Sequence, residues 1–187
     1  MPTETLAHKL GTTTHLSPLL MKARRLGLRT PEDLCALAVK RGCRYYDMHG
    51  DSSRVQEEFP LRVSCEELSN TELAIALLSL FPPVTLLRQR IGAAMLSADD
   101  VDVSDLTSLA EAEQCGEIIH YIADCGHQVE PENEFWIELR SALSSHHYDV
   151  EKMPHPTRFI EMTGVTRGKV GIQKHWVRPA RARALDA

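Results

Sequence analysis

Apolar residues recur along most of this chain at intervals of three and four, and the polar residues that interrupt them are helix caps and stops. The first such segment opens after Ser17 with Pro18 in the first turn, carries Arg24 and Arg25 at its negative end and stops at Gly27. The second follows the same grammar: Thr30 caps, Pro31 opens, Glu32 and Asp33 sit at the positive end, Leu34, Leu37 and Ala38 form the stripe, and Gly42 stops it. The two are expected to form a helical hairpin.

The next start is the most fully specified. Ser69 and Glu72 are spaced for a capping box, and Leu68 and Leu73 for the hydrophobic staple around it. Leu73, Ala76, Leu77 and Leu80 make one stripe while Ile75 and Leu78 fall off it, which predicts a helix covered on most sides and therefore central. Phe81-Pro82-Pro83 breaks the chain; beyond it Val84, Leu87, Ile91 and Met95 mark a further helix, with Arg88 and Arg90 on its outer face. Ser104 is then read as the cap of one longer helix with the stripe Leu109, Ala112, Cys115, Ile119 and Ile122, exposing Glu111, Glu113 and Glu117 and ending at Gly126. Pro131 opens another, with Phe135, Leu139 and Leu143 inward and Trp136 beside them. Gly92 and Gly116 cost about 1 kcal/mol each in a helix interior relative to Ala, so each is expected to permit a close helix contact.

After Met153-Pro154-His155-Pro156 the pattern changes to extended, β-branched and aromatic residues at 158–160 and 169–177, around Gly164 and Thr166-Arg167-Gly168. This reads as a β-hairpin, too small to stand alone, that packs on the helical body, on strand-like residues near Tyr45 or on another subunit. The expected fold is mainly α, a helical bundle or short helical array with a small C-terminal β-hairpin. Residues 1–156 form the helical body, with an irregular loop at 43–64, and residues 157–187 form a basic hairpin and tail packed on the same domain.

At 187 residues, with 43% hydrophobic and only 5% aromatic side chains, the chain is long enough for an aliphatic core. The formal charge of −5 is unevenly spread. Residues 1–62 hold 10 basic and 7 acidic side chains, residues 63–156 hold 4 and 17, and residues 157–187 hold 7 and 2. So acidic a middle repels phosphate backbones and disfavours nucleic-acid coating, while the basic end is suited to bind an anion or to dock on the acidic middle. Five cysteines without a C-x-x-C pair fit reduced thiols, and neither a secretion signal nor an apolar run of the roughly 18 residues that span a bilayer is legible. The expectation is a cytoplasmic protein without a membrane contact.

Chemistry is sparsely signalled. His146, His147 and His155 lie near Asp149, and Cys115, His120, Cys125 and His127 near one another, but neither set has a metal-ligand spacing, so no metal and no cofactor is assigned. His49 and Asp51, beside Cys43 and Asp47, offer the ingredients of a nucleophile or hydrolase site in one polar loop. The stretch from Ala23 to Lys40 superficially matches a DNA-binding helix-turn-helix, yet Asp33 stands where an apolar residue packs and Glu32 would repel phosphate. Arg158, Arg167, Lys169, Lys174, His175, Trp176 and Arg178 combine cations with one aromatic ring, the makings of an anion or single-strand nucleic-acid surface. Trp176, alternating with Lys174 and Ile172, is equally placed to face the core.

The leading expectation is a non-catalytic helical interaction or regulatory protein whose partner is a protein or a second copy of itself. The alternatives are an RNA- or DNA-binding accessory protein using the basic hairpin, and a metal-dependent or Cys/His hydrolase centred on residues 43–53 or 146–155.

Overall fold

A computed structural model of the chain describes residues 17–43, 63–163 and 173–179. Among them run seven α-helices, α1 (Pro18–Arg25), α2 (Pro31–Lys40), α3 (Asn70–Ser79), α4 (Leu86–Met95), α5 (Val103–Ala112), α6 (Gly116–Val129) and α7 (Glu134–Ala142). Two 3₁₀ turns, Val150–Lys152 and Pro156–Phe159, lead into an antiparallel pair, β1 (Ile160–Thr163) and β2 (Gln173–Trp176), with Ile160 opposite Trp176. The fold is mainly α with a small C-terminal hairpin.

The caps do what their spacing predicts. Ser17, Thr30 and Ser69 each accept from a backbone N–H of the first turn, and the last two complete capping boxes with Asp33 and Glu72. Gly27 (φ 85°) and Gly42 (φ 93°) adopt the left-handed conformation that ends a helix. In the same turns Leu28 N–H donates to Ala23 O at 2.9 Å and Cys43 N–H to Ala38 O at 3.0 Å. Both residues beyond the glycine are buried, so each stop also anchors a core side chain. The first two helices pack chiefly on α3 and, for α2, also on α4, and less on each other.

α3 is the centre. Thr71 and every residue from Leu73 to Leu78 are buried, and α1, α2, α4 and α5 all pack on it. Its closest neighbour is α4, where a Cβ on Gly92 would stand 2.8 Å from the Leu78 side chain, so that glycine allows the approach.

Other expectations are corrected. Arg88 is not on the outer face of α4 but 2% exposed, and Leu87 lies outside instead. Its Nη1 donates to Phe81 O at 2.8 Å, its Nε and Nη2 to Leu77 O at 3.2 and 3.0 Å, and Nη2 also to Leu80 O. α3 ends without a glycine and runs into two prolines that supply no N–H, so its terminal carbonyls, the negative end of the helix, take a buried guanidinium as their donor. Burial pulls that guanidinium below its ordinary pKa.

The helix expected from Ser104 to Gly126 is two helices. Asp102, not Ser104, caps α5, and Gln114 (φ 54°) makes the left-handed stop that glycine made earlier, with Cys115 N–H donating to Ala110 O at 3.0 Å. The break resets the phase: Leu106 and Ala110 are buried on α5 whereas Ala112 is exposed. Gly116 therefore opens α6, and the group it lets approach is the His146 ring, not a helix; Gly126 lies inside α6, under the Trp136 indole. Pro131 sits in the turn before α7, whose cap is Asn133.

The hairpin packs on the helical body. Trp176 and Phe159 are buried with Trp136, the Trp176 and Trp136 ring centroids 4.8 Å apart, and β2 rests on α6. Arg178, just beyond β2, forms a bidentate ion pair with Glu130, so the basic end meets the acidic middle within one chain.

Candidate functional site

Two concavities lie along the acidic middle and share Glu111. The larger is an open groove of about 800 Å³ between α5 and α7. Ser104, Thr107, Ser108 and Glu111 recur at helical spacing on the α5 side, and Ile137, Glu138, Ser141 and Ala142 do so on the α7 side. Thr107 donates its hydroxyl to Val103 O at 2.7 Å and Ser108 to Ser104 O at 2.9 Å, so these hydroxyls turn back on their own helix. Ile137 is 46% exposed, because Trp136, Leu139 and Leu143 take the buried stripe and leave it one position off.

The second concavity, about 640 Å³, opens at the break between α5 and α6. Its apolar lining comes from Leu78, Ile118 and Met153, and Glu111, Glu113 and Glu117 stand around it. Glu113 Oε1 accepts from Leu19 N–H at 3.4 Å, which holds that side chain against α1. Glu111, Glu117 and Glu138 have no cationic partner among the described residues. Within the middle segment Arg88 is buried against the end of α3 and Arg140 is bound to Asp124, so neither pairs with these carboxylates.

A polar cluster beside these concavities is a fastening. Asp124 accepts from Arg140 Nε and from the Tyr148 hydroxyl, and His120 Nδ1 meets His146 O at 2.5 Å. Hydrogen bonds from Tyr148 and Arg140 outweigh burial and hold the Asp124 carboxyl below its usual pKa, while burial and that bond push the Tyr148 phenol up to about 12. The Tyr121 hydroxyl donates to Pro154 O at 2.5 Å. Together these bonds tie residues 146–154, and α7 through Arg140, to α6.

The residues singled out from sequence are dispersed. His147 and His155 are exposed, His155 and Asp149 each cap a 3₁₀ turn, and His146 packs on Gly116. Among the described residues no three His, Cys, Asp or Glu side chains group to hold a metal ion. Cys115 and Cys125 are buried, and burial pushes their thiols up to about 12 and about 11, so both stay protonated and poorly nucleophilic at neutral pH. His49, Asp51, Arg167 and Lys169 lie outside the described residues. Of the basic hairpin set, Arg158, Lys174 and His175 are exposed, Arg178 is engaged by Glu130 and the Trp176 ring is in the core. The groove residue that sequence reasoning missed is Ile137, whose signal was an apolar side chain out of phase with its own helix stripe.

No family model matches the chain, and neither the curated proteins nor the solved structures compared with it contain a similar one. No helix among the described residues is long and apolar enough to cross a membrane.

Proposed function

We propose that this protein is a non-catalytic interaction module that binds a basic, partly apolar segment of a protein partner in the groove between α5 and α7. The observation that carries the reading is the exposure of Ile137 beside Glu111 and Glu138, carboxylates without cations among the described residues. An apolar side chain set among carboxylates favours a segment offering both a greasy contact and positive charge, and the charges guide encounter and orientation more than they add affinity. The neighbouring Cys115 and Cys125 thiols are buried, His146 packs on Gly116 and His155 caps a 3₁₀ turn, which fits recognition better than turnover.

Fluorescence anisotropy tests the reading with labelled short peptides carrying leucine and arginine at helical spacing, against the same peptides with glutamate for arginine. The arginine peptides are expected to bind at least about tenfold more tightly and to weaken as ionic strength screens the charges. Ile137→Asp should abolish binding while leaving stability within about 0.5 kcal/mol, as for other surface changes. Equal binding of the glutamate peptides, or full binding by the Ile137→Asp protein, would overturn the proposal.

A further inference from the structure

We infer that the cavity at the α5–α6 break receives one arginine side chain of the bound segment, an inference that rests on the groove reading above. Two features of the cavity select that ligand. Leu78, Ile118 and Met153 provide an apolar surface for a long aliphatic stem, and Glu113 and Glu117 stand near a cationic head. Arginine fits both, since its planar guanidinium pairs bidentately with carboxylates and is more weakly hydrated than an ammonium. Position supplies the link to the groove: Glu111 borders both concavities, so a chain lying along α5 delivers a side chain past the end of that helix.

The site is also held in shape. Glu113 is tethered by the Leu19 N–H, and the His146 ring lies so close on Gly116 that a Cβ there would come within 2.5 Å of it. Glu117, in the first turn of α6, is exposed and without a partner among the described residues, which makes it the carboxylate to test.

A double-mutant cycle on the full chain reads the contact directly. One partner is a fluorescent leucine–arginine peptide in which each arginine is replaced in turn by citrulline, the neutral near-isostere. The other is Glu117→Gln, whose fold is checked by thermal melting. At one arginine position the citrulline change should weaken binding to the unmodified protein by about tenfold, and this loss should largely disappear in the Glu117→Gln protein. If every citrulline change costs the two proteins the same while Ile137→Asp still abolishes binding, the cavity inference is overturned and the groove reading stands. If no arginine peptide binds the unmodified protein, the groove reading fails and takes this inference with it.

Discussion

Around α3 the polar groups at helix ends are answered from within the chain, whereas along α5 and α7 carboxylates and an isoleucine are left facing outward. Lys22 Nζ binds both Glu72 oxygens at 2.6 and 2.7 Å at the start of α3, and Arg88 closes its end. Arg41, just beyond α2, reaches the start of α3, donating to Leu68 O at 2.6 Å and to Asn70 Oδ1 at 2.9 Å. No comparable donors reach Glu111, Glu117 and Glu138 from the described residues. Both regions use the same helix grammar, so the difference is not in how the helices are made but in what the chain spends its cations on. In the first region Lys22, Arg41 and Arg88 are engaged by the fold, and in the second Glu111, Glu117 and Glu138 meet no cation among the described residues.

The sharpest way to break this contrast is to remove the buried cation. Arg88→Met keeps much of the side-chain volume but leaves the carbonyls of Leu77, Leu80 and Phe81 without that donor, and each buried acceptor so orphaned costs about 1–3 kcal/mol. A loss of about 3 kcal/mol in urea unfolding is expected, against almost none for Leu87→Met one position earlier on the exposed side. Similar losses for the two variants would mean that the end of α3 is not held as described.

Arg88 also shows where the sequence was legible and where it was not. The starts of α1, α2 and α3 were readable because Ser17, Thr30 and Ser69 act over three residues, a range that a one-dimensional pattern contains. The phase of α4 was not, because the partners of Arg88 lie seven to eleven positions earlier on another helix. A count of donors would have pointed to it: a helix ending in Leu80-Phe81-Pro82-Pro83 has neither a left-handed glycine nor proline N–H groups to offer its last carbonyls. The groove was less legible still. It depends on α5 and α7 packing side by side, and on Ile137 being displaced from the buried stripe by the larger Trp136.

A smaller effect separates the fastening at Asp124 from the open carboxylates nearby. The Asp124 pKa is lowered in the folded protein, so its stabilising contribution is present above the ordinary carboxyl pKa of about 4 and is lost as pH falls through the lower folded value. Tyr148 works from the alkaline side: its folded pKa is raised to about 12, so stability falls once the unfolded phenol begins to ionise near pH ~10. Asp124→Asn should cost about 1–2 kcal/mol near neutral pH and flatten part of the acid limb of a stability–pH curve. An unaltered acid limb in Asp124→Asn would place the carboxylate among the unengaged ones.

The smallest expected change sharpens the contrast at the boundary between the two concavities. Gln114 holds φ at 54°, a left-handed conformation that costs an L-residue about 1–2 kcal/mol, at the stop between α5 and α6. At Gly27 and Gly42 the same turn is made without that cost. Gln114→Gly relieves the strain but gives the unfolded chain more freedom, so the net gain is expected to be only about 0.5–1 kcal/mol, seen as a small rise in Tm. Because Gln114 lines the cavity that Glu113 and Glu117 border, the same variant also reports on binding. Arginine peptides should bind it as they bind the unmodified protein, since the carboxylates and Ile137 are untouched. A stabilised variant that no longer bound them would show that the glutamine is held in its strained turn for the ligand, and would move the recognition chemistry from the carboxylates to that side chain.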